Sequence, residues 1–388
     1  MSQLSQSSKF KQTFNLNYPI IQSPMAGAST VELASTITKL GGLGSIPLGS
    51  FSNDPQKIEI QFKKFQSLTN GSNNVNLNFF AHDEPSRDSI KEQNWVSKFE
   101  KIYKENGIIW NHGNLKLNSI YPTFKSIDSI SDPTIQLLIK LKPSVISFHF
   151  GLPSVKIIKY LQSNGIKIFV SITNLQELKL SLNSKIDGII LQGFEAGGHR
   201  GNFQANDLND SNLKIEELTE IVLDYLNSNV DPKEIPFIIA AGGFYSSSQI
   251  KQFITKFNIS AIQLGTIWLP SVESTISSKH LSFFQNLNSD DKLTTIMSSA
   301  ISGRNLRTIS TPFLTKLQTW NKETPEYPLP YELFKKLGKD YTSAIEESIT
   351  DHSKESLYGA FLAGENFNKS WKGTRNTEDI FEDIVKDL

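Results

Sequence analysis

What most constrains this chain is an alternation. Eight short apolar or β-branched runs recur along it, and most are followed by a longer segment of helical character. The candidate strands are Tyr18–Ile21, Leu43–Leu48, Val75–Phe80, Ser144–His149, Ile166–Ser171, Ile186–Leu191, Pro236–Ala241 and Ser260–Leu264. The helical candidates are Val31–Leu40, Asp54–Leu68, Pro133–Leu141, Ser154–Gln162, Leu175–Leu180, Lys214–Leu226 and Ser247–Lys256. Ser131-Asp132-Pro133 sets a cap before a first-turn proline, while Gly41-Gly42 and Asn164-Gly165 follow helix ends. Eight strand–helix units over roughly 250 residues are what a (β/α)8 TIM barrel needs. An open doubly wound sheet is the competing arrangement. The barrel is preferred because the count is eight. Unusual loops also follow several different strands, as when one rim carries a site, instead of gathering at one switch point.

Two segments stand outside the alternation. Ala81 to Pro143 is too long for one crossover and holds a charged helical candidate from Arg87 to Tyr103. Ser282 to Thr350 carries Phe313, Trp320, Tyr327, Tyr331 and Phe334, with regular structure broken at Pro325, Pro328 and Pro330. The expected division is a barrel over 1–281, a smaller lid or substrate domain over 282–350, and a C-terminal part over 351–388. In that last part Leu357–Asn366 reads as a helix returning to the barrel.

Composition excludes several function classes. Lys+Arg and Asp+Glu both number 39, so no basic excess points to nucleic acid. No cysteine is present, which removes thiolate nucleophiles and Cys-ligated zinc or iron–sulfur clusters. The six histidines are scattered without metal-ligand spacing, so no metal is expected. No apolar run reaches the ~18 residues of a membrane span, and the first residues make a poor signal peptide. A cytoplasmic protein, monomeric or dimeric, is the expectation.

Chemistry is expected where Asp187 to Gly201, DGIILQGFEAGGHRG, leaves a strand. Its glycines let backbone approach a ligand, and it carries one acid, one imidazole and one guanidinium in Glu195, His199 and Arg200. His149 also ends a strand and could share the rim. The Gln22–Thr30 loop, with Met25 among small residues, could lie flat against a planar ring. Asn78, after Val75–Leu77 in the third strand, offers an amide that both donates and accepts. Gly242-Gly243 and Gly265-Thr266 follow the seventh and eighth strands, the usual phosphate site of such barrels. No P-loop and no strand-bound G-x-G-x-x-G occurs, which argues against a nucleoside triphosphate or a Rossmann dinucleotide.

These pieces together resemble a family. Pro24-Met25-Ala26-Gly27, Asn78-Phe79-Phe80, Ser147-Phe148-His149-Phe150-Gly151, Glu195-Ala196-Gly197-Gly198-His199, Ala241-Gly242-Gly243 and Gln263-Leu264-Gly265-Thr266 look like nitronate monooxygenase. Ser302-Gly303-Arg304, the Tyr327, Tyr331 and Lys335 spacing, and Ala363-Gly364-Glu365 extend the match and resemble the first class of that family. The resemblance implies FMN bound in the barrel and oxidation of a small anionic nitronate, such as propionate 3-nitronate, by O2 to a carbonyl compound and nitrite. It implies that Pro24, Met25, Ala26, Asn78 and Gln192 line the flavin, with Gly197 and Gly198 beside it, and that Gly242, Gly243, Gly265 and Thr266 hold its phosphate. His199 would be the catalytic residue, with His149, Arg304, Tyr327, Tyr331 and Lys335 around the substrate. Asn305-Leu306 departs from the usual sequence after Ser-Gly-Arg, which bears on the Arg304 contact. The alternatives are an NAD(P)H-dependent FMN quinone or enoyl reductase on the same barrel, and a non-redox phosphate-binding isomerase or lyase.

Overall fold

A short strand that is apolar on both faces has two layers to fill, a barrel interior on one side and a helix on the other. The computed structural model, which describes all residues except 1–4, 52–53, 114, 118–120, 206–209, 286–292, 347–358 and 371–372, builds both layers. The first six strands are β1 (Ile20–Gln22), β2 (Gly44–Pro47), β3 (Val75–Phe80), β4 (Val145–His149), β5 (Lys167–Ile172) and β6 (Gly188–Gln192). A two-residue strand, β7 (Gly198–His199), belongs to a second sheet, and β8 (Phe237–Ala241) and β9 (Ala261–Leu264) complete the first. The eight strands of that sheet pair in parallel in the order β1-β9-β8-β6-β5-β4-β3-β2. A bridge from Ile21 to Leu43 joins the two edges, so the sheet curls into a TIM barrel. Helices Val31–Lys39, Pro55–Leu68, Pro133–Leu141, Val155–Ser163, Leu175–Asn183, Ile215–Asn229 and Ser247–Phe257 follow their strands. The cap expected at Asp132 is present, its carboxylate accepting from Thr134 N at 2.8 Å.

Inward positions alternate along each strand, and they change character from one end of the barrel to the other. Val145, Phe169, Ile190, Ile239 and Ala261 form an apolar floor. A helix at Gln6–Phe14 plugs it from below with Phe10 and Phe14, one turn apart, at 5.3 Å from Phe237 and 5.8 Å from Phe169 between ring centroids. Two residues further along the same strands stand Ser147, after Val145, Gln192, after Ile190, and Gln263, after Ala261, all buried. Apolar floor and polar rim fix which end of the barrel carries chemistry.

The second sheet lies over that rim. β7 pairs with β11 (Leu306–Ile309), which pairs with β10 (Thr295–Ser298), both antiparallel. Its helices Pro312–Gln318 and Tyr331–Glu346 share one hydrophobic cluster with helix Ser89–Glu105: Trp95, Phe99 and Tyr103 pack with Leu306, Leu314, Leu333 and Leu337. The long connection after β3 therefore builds the outer layer jointly with the segment after 282.

The expected helix at Leu357–Asn366 is not formed. Its first two residues lie outside the described residues, 359–364 run without helix, with Leu362 bridged antiparallel to Thr308, and 365–366 form a turn. Gly359 and Gly364 disfavour a helix there, and the free edge of β11 supplies backbone partners: Ile309 N donates to Phe361 O at 2.9 Å. The helix that returns to the barrel is Thr377–Val385, which buries Phe381 against Tyr18 and Trp268. Parts of the expected 282–350 unit, 286–292 and 347–350, lie outside the described residues.

Candidate active site

Of the acid, imidazole and guanidinium in the loop after β6, the structure leaves only the imidazole for chemistry. Both Glu195 oxygens accept from Ile215 N, at 3.0 and 3.3 Å, capping helix Ile215–Asn229. Arg200 is 3% exposed and grips Asp210 through two bonds of 2.7 and 2.9 Å, its Nη1 also reaching the Gln192 carbonyl at 2.5 Å. These are braces. They fold the loop back so that β7 offers His199 to the rim.

His199 is held from both ends. Its carbonyl accepts from Gln192 Nε2 at 3.0 Å and from His149 Nε2 at 3.3 Å. Gln192 Oε1 accepts from Gly201 N at 2.7 Å, so the Gln192 amide is engaged by the loop. The His199 ring meets Ser302 Oγ through Nε2 at 2.9 Å. Ser302 also donates to the Arg304 carbonyl at 3.2 Å. With the hydroxyl hydrogen directed there, Nε2–H is the donor to Ser302, and Nδ1 keeps the lone pair. Burial first, then the neighbouring His149 and Arg304, push the ring down to about 3, so it is neutral near pH 7. His149 is pushed down to about 4, mainly by burial.

Rings close the space above. Tyr327 and Tyr331 lie 5.8 and 6.2 Å from His199, and Phe150 lies 5.8 Å away, centroid to centroid. Phe150 adopts a left-handed backbone, φ 74°, directly after β4, and the next residue approaches Ala81 so closely that a Cβ on Gly151 would sit 2.7 Å from the Ala81 carbonyl oxygen. That turn aims the Phe150 ring inward under Tyr327, at 5.3 Å. Lys335 Nζ donates to Tyr121 OH at 2.6 Å and sits 4.6 Å over Tyr331. Burial raises the Tyr327 and Tyr331 phenols, so both stay protonated donors.

Arg304 is 3% exposed and sandwiched between Phe150, at 4.4 Å, and Tyr327, at 5.7 Å. Its hydrogen-bond partners are carbonyls, Asn202 at 2.6 Å and Phe203 at 3.4 Å, and its Nε has none. No carboxylate pairs with it among the described residues. Burial lowers it only to about 10, so it stays charged. With only the more distant carboxylates of Asp83 and Glu177 acting on it, this buried cation biases the cavity toward anions and against protonation of the histidines around it.

On the opposite side of the rim, Pro24 leads into a turn that holds Met25 and Ala26, with Ala28 N and Ser29 N donating to Met25 O. Met25 Sδ would be 3.6 Å from a Cβ on Gly265, so the β1 and β9 loops meet. Gly242 and Gly243 have φ of 121° and 77°, as their close turn requires. Asn78 lies inside β3 and donates to Ser147 Oγ at 2.9 Å. Gly197 faces the Ala363 and Gly364 backbone, where a Cβ would come within 2.5 Å. Gly198 pairs with Arg307 of β11.

The expected residues thus fall into two groups on one rim, glycine loops on one side and His199 with its aromatic roof on the other. The sequence reading assigned no part in the site to Tyr121, Phe150, Ser302 or Gln263, which the fold brings to this rim. Tyr121 comes from an irregular stretch with no periodic signal, whereas Ser302, two residues before Arg304, stands in a Ser-Gly-Arg run visible in the sequence.

The nitronate monooxygenase family model matches residues 7–386. A Saccharomyces cerevisiae relative is 36% identical over 392 residues, 96% of this chain and 91% of its own length. The nitronate monooxygenase of Paraburkholderia phytofirmans is 32% identical over 90% of this chain and 87% of its own. Among solved structures, nitroalkane oxidase from Streptomyces ansochromogenes superposes with a TM-score of 0.77 at 22% identity, over 97% of each chain. That likeness concerns the fold.

Proposed function

The chain belongs to the nitronate monooxygenase family and is an oxidoreductase, and from that premise we propose that it uses FMN and O2 to oxidise alkyl nitronates to a carbonyl compound and nitrite. The observation that supports this reading is a neutral His199 beside the buried Arg304 cation, which makes no ion pair among the described residues, beneath the Tyr327–Tyr331 roof. A nitronate is already an anion, so it needs positive potential and hydrogen-bond donors more than a base. Arg304 supplies the potential, and the protonated phenols of Tyr327 and Tyr331 supply donors. An imidazole held at about 3 has little driving force to remove a carbon-bound proton, which favours the preformed anion over the neutral nitroalkane.

What supports FMN is the other half of the rim. Gln263 Oε1 is buried with no partner at the top of β9. The N–H groups of Gly243 and Thr266 donate to no protein acceptor among the described residues. Together with Gly242 and Gly265 they form a cradle for a phosphate. Pro24, Met25, Ala26, Asn78 and Gln263 would flank the ring, with Gly197 and Gly198 keeping backbone close to it. When bound, FMN supplies the electron chemistry, and the protein positions the reactants and excludes water. Here His149 and Gln192 fix the His199 backbone, Ser302 fixes the ring, and Lys335 with Tyr121 closes the outer edge.

The test is to mix the yellow protein with ethyl nitronate in air and to measure nitrite and oxygen uptake, then repeat with His199→Asn. Because a ring held so low is a poor base, the variant should weaken nitronate turnover and whatever neutral nitroethane turnover exists to a similar degree. A loss of about 10²–10⁴-fold confined to nitroethane would restore a base role for His199 and count against this reading. Anaerobic bleaching by NADH with no nitrite from nitronate would overturn the oxidase reading in favour of a reductase.

A further inference from the structure

The chain at 361–366 touches β11 and the loops after β6, β8 and β9. Phe361 N donates to Thr308 Oγ1 at 2.9 Å, which ties the segment to β11. Glu365 forms an ion pair with Arg307 at 3.0 Å, and its N–H donates to the Glu195 carbonyl at 3.0 Å. Gly364 N donates to Thr266 Oγ1 at 2.9 Å. Asn366 Nδ2 donates to the Gly243 carbonyl at 2.8 Å. Contact is close throughout, since a Cβ on Gly364 would lie 2.9 Å from the Glu195 carbonyl oxygen and one on Gly243 would lie 3.4 Å from Asn366 Nδ2.

We propose that this strap presets the donors of the phosphate cradle, with Asn366 and the Gly364 N–H as positioning groups that set how tightly the phosphorylated cofactor is held. The proposal rests on the reading that the Gly243 and Thr266 loops take a phosphate. The carbonyl of Gly243 and the N–H of Phe244 belong to one planar trans peptide and point in opposite directions. Fixing that carbonyl from the strap side therefore fixes the Phe244 N–H on the far side, which has no protein acceptor among the described residues and joins the Gly243 N–H as a donor of the cradle. Thr266 is set in the same way. A threonine hydroxyl has one hydrogen to give and lone pairs to receive. With Gly364 N–H occupying a lone pair, the hydroxyl hydrogen is turned away from the strap and left to donate to an anion. Neither strap group needs to touch the ligand, because each acts through a cradle donor. Preorganised donors lose less conformational freedom on binding, and that difference appears as affinity.

The experiment compares release of FMN from the holoenzyme with release of riboflavin, which lacks the phosphate, from riboflavin-loaded protein. Both are followed by flavin fluorescence on dilution, in the wild type, Asn366→Ala and the near-isosteric Asn366→Asp. Loss of one such bond should speed FMN release about fivefold in Asn366→Ala. The loss should be at least as large in Asn366→Asp, where a carboxylate oxygen would oppose the Gly243 carbonyl. Riboflavin release should not change in either. FMN and riboflavin affected alike would mean that the strap merely supports the fold, and no change in FMN release would mean that it is idle; either result overturns the proposal. A wild type that holds riboflavin as tightly as FMN would refute the phosphate assignment itself and the strap's role with it. If Asn366→Ala does not fold, Asn366→Asp alone decides.

Discussion

Acid should unfold this protein through its buried imidazoles, and His280 isolates that effect from the active site. The His280 ring is 8% exposed, stacks on Phe284 at 5.7 Å, meets Phe361 at 5.6 Å, and has no partner for Nε2. Burial alone pushes it from 6.5 down to about 4. A folded pKa below the unfolded one stabilises the fold above the unfolded value, and the stabilisation is lost as pH falls toward the folded value. Between about pH 7 and about pH 5 the unfolded chain takes up most of a proton at this site and the folded chain almost none, which removes ~2 kcal/mol of stability. His82 and His149, held at about 4, and His199, at about 3, behave alike, chiefly for the same reason. Each adds to the same acid response, with His149 and His199 titrating as a coupled pair. His280→Phe keeps a ring in the same apolar setting and deletes the titration. Urea unfolding of both proteins at about pH 7 and about pH 5 should show the variant losing ~2 kcal/mol less than the wild type. An identical loss in the two proteins would refute the argument that burial of this imidazole carries its share of the acid response.

Two further perturbations test other parts of the structure. Ser302→Ala removes the hydroxyl at 2.9 Å from His199 Nε2; kcat/KM for nitronate should fall up to about tenfold with the flavin spectrum unchanged, and steady-state nitrite release measures it. Phe10→Ala empties the plug beneath the barrel floor; it should cost about 3–5 kcal/mol in urea unfolding while FMN release from the folded protein stays as in the wild type.

The barrel was legible because its strands are buried on both faces. Val75–Phe80 was read at its observed bounds, and Ser144–His149 and Pro236–Ala241 missed only one residue each. Helix Pro133–Leu141 was likewise read at its observed bounds, its start marked by Asp132 and Pro133. The rim histidine was visible because glycines, a strand end and an imidazole coincide in one stretch. What stayed hidden depends on partners distant in sequence. The Gln6–Phe14 helix shows only two phenylalanines in a polar run, and only the barrel floor gives them a reason to be buried. A two-residue strand such as β7 has no local signal at all; it exists because β11 lies beside it. The segment at 359–366 failed as a helix for the same reason, since β11 and two loops offered its backbone partners outside its own next turn. Glu195 and Arg200 looked reactive from their neighbours in the chain, and only the fold shows that a helix end and an aspartate already occupy them.

One consequence follows from β7 being shared. His199 belongs by covalent chain to the barrel and by hydrogen bonding to the sheet above it, since Leu306 is its register partner and Arg200 N donates to the Asn305 carbonyl at 2.8 Å. If that sheet were to swing away as a lid does, it would tear the histidine's own ladder. The reactive ring and its roof therefore travel as one piece.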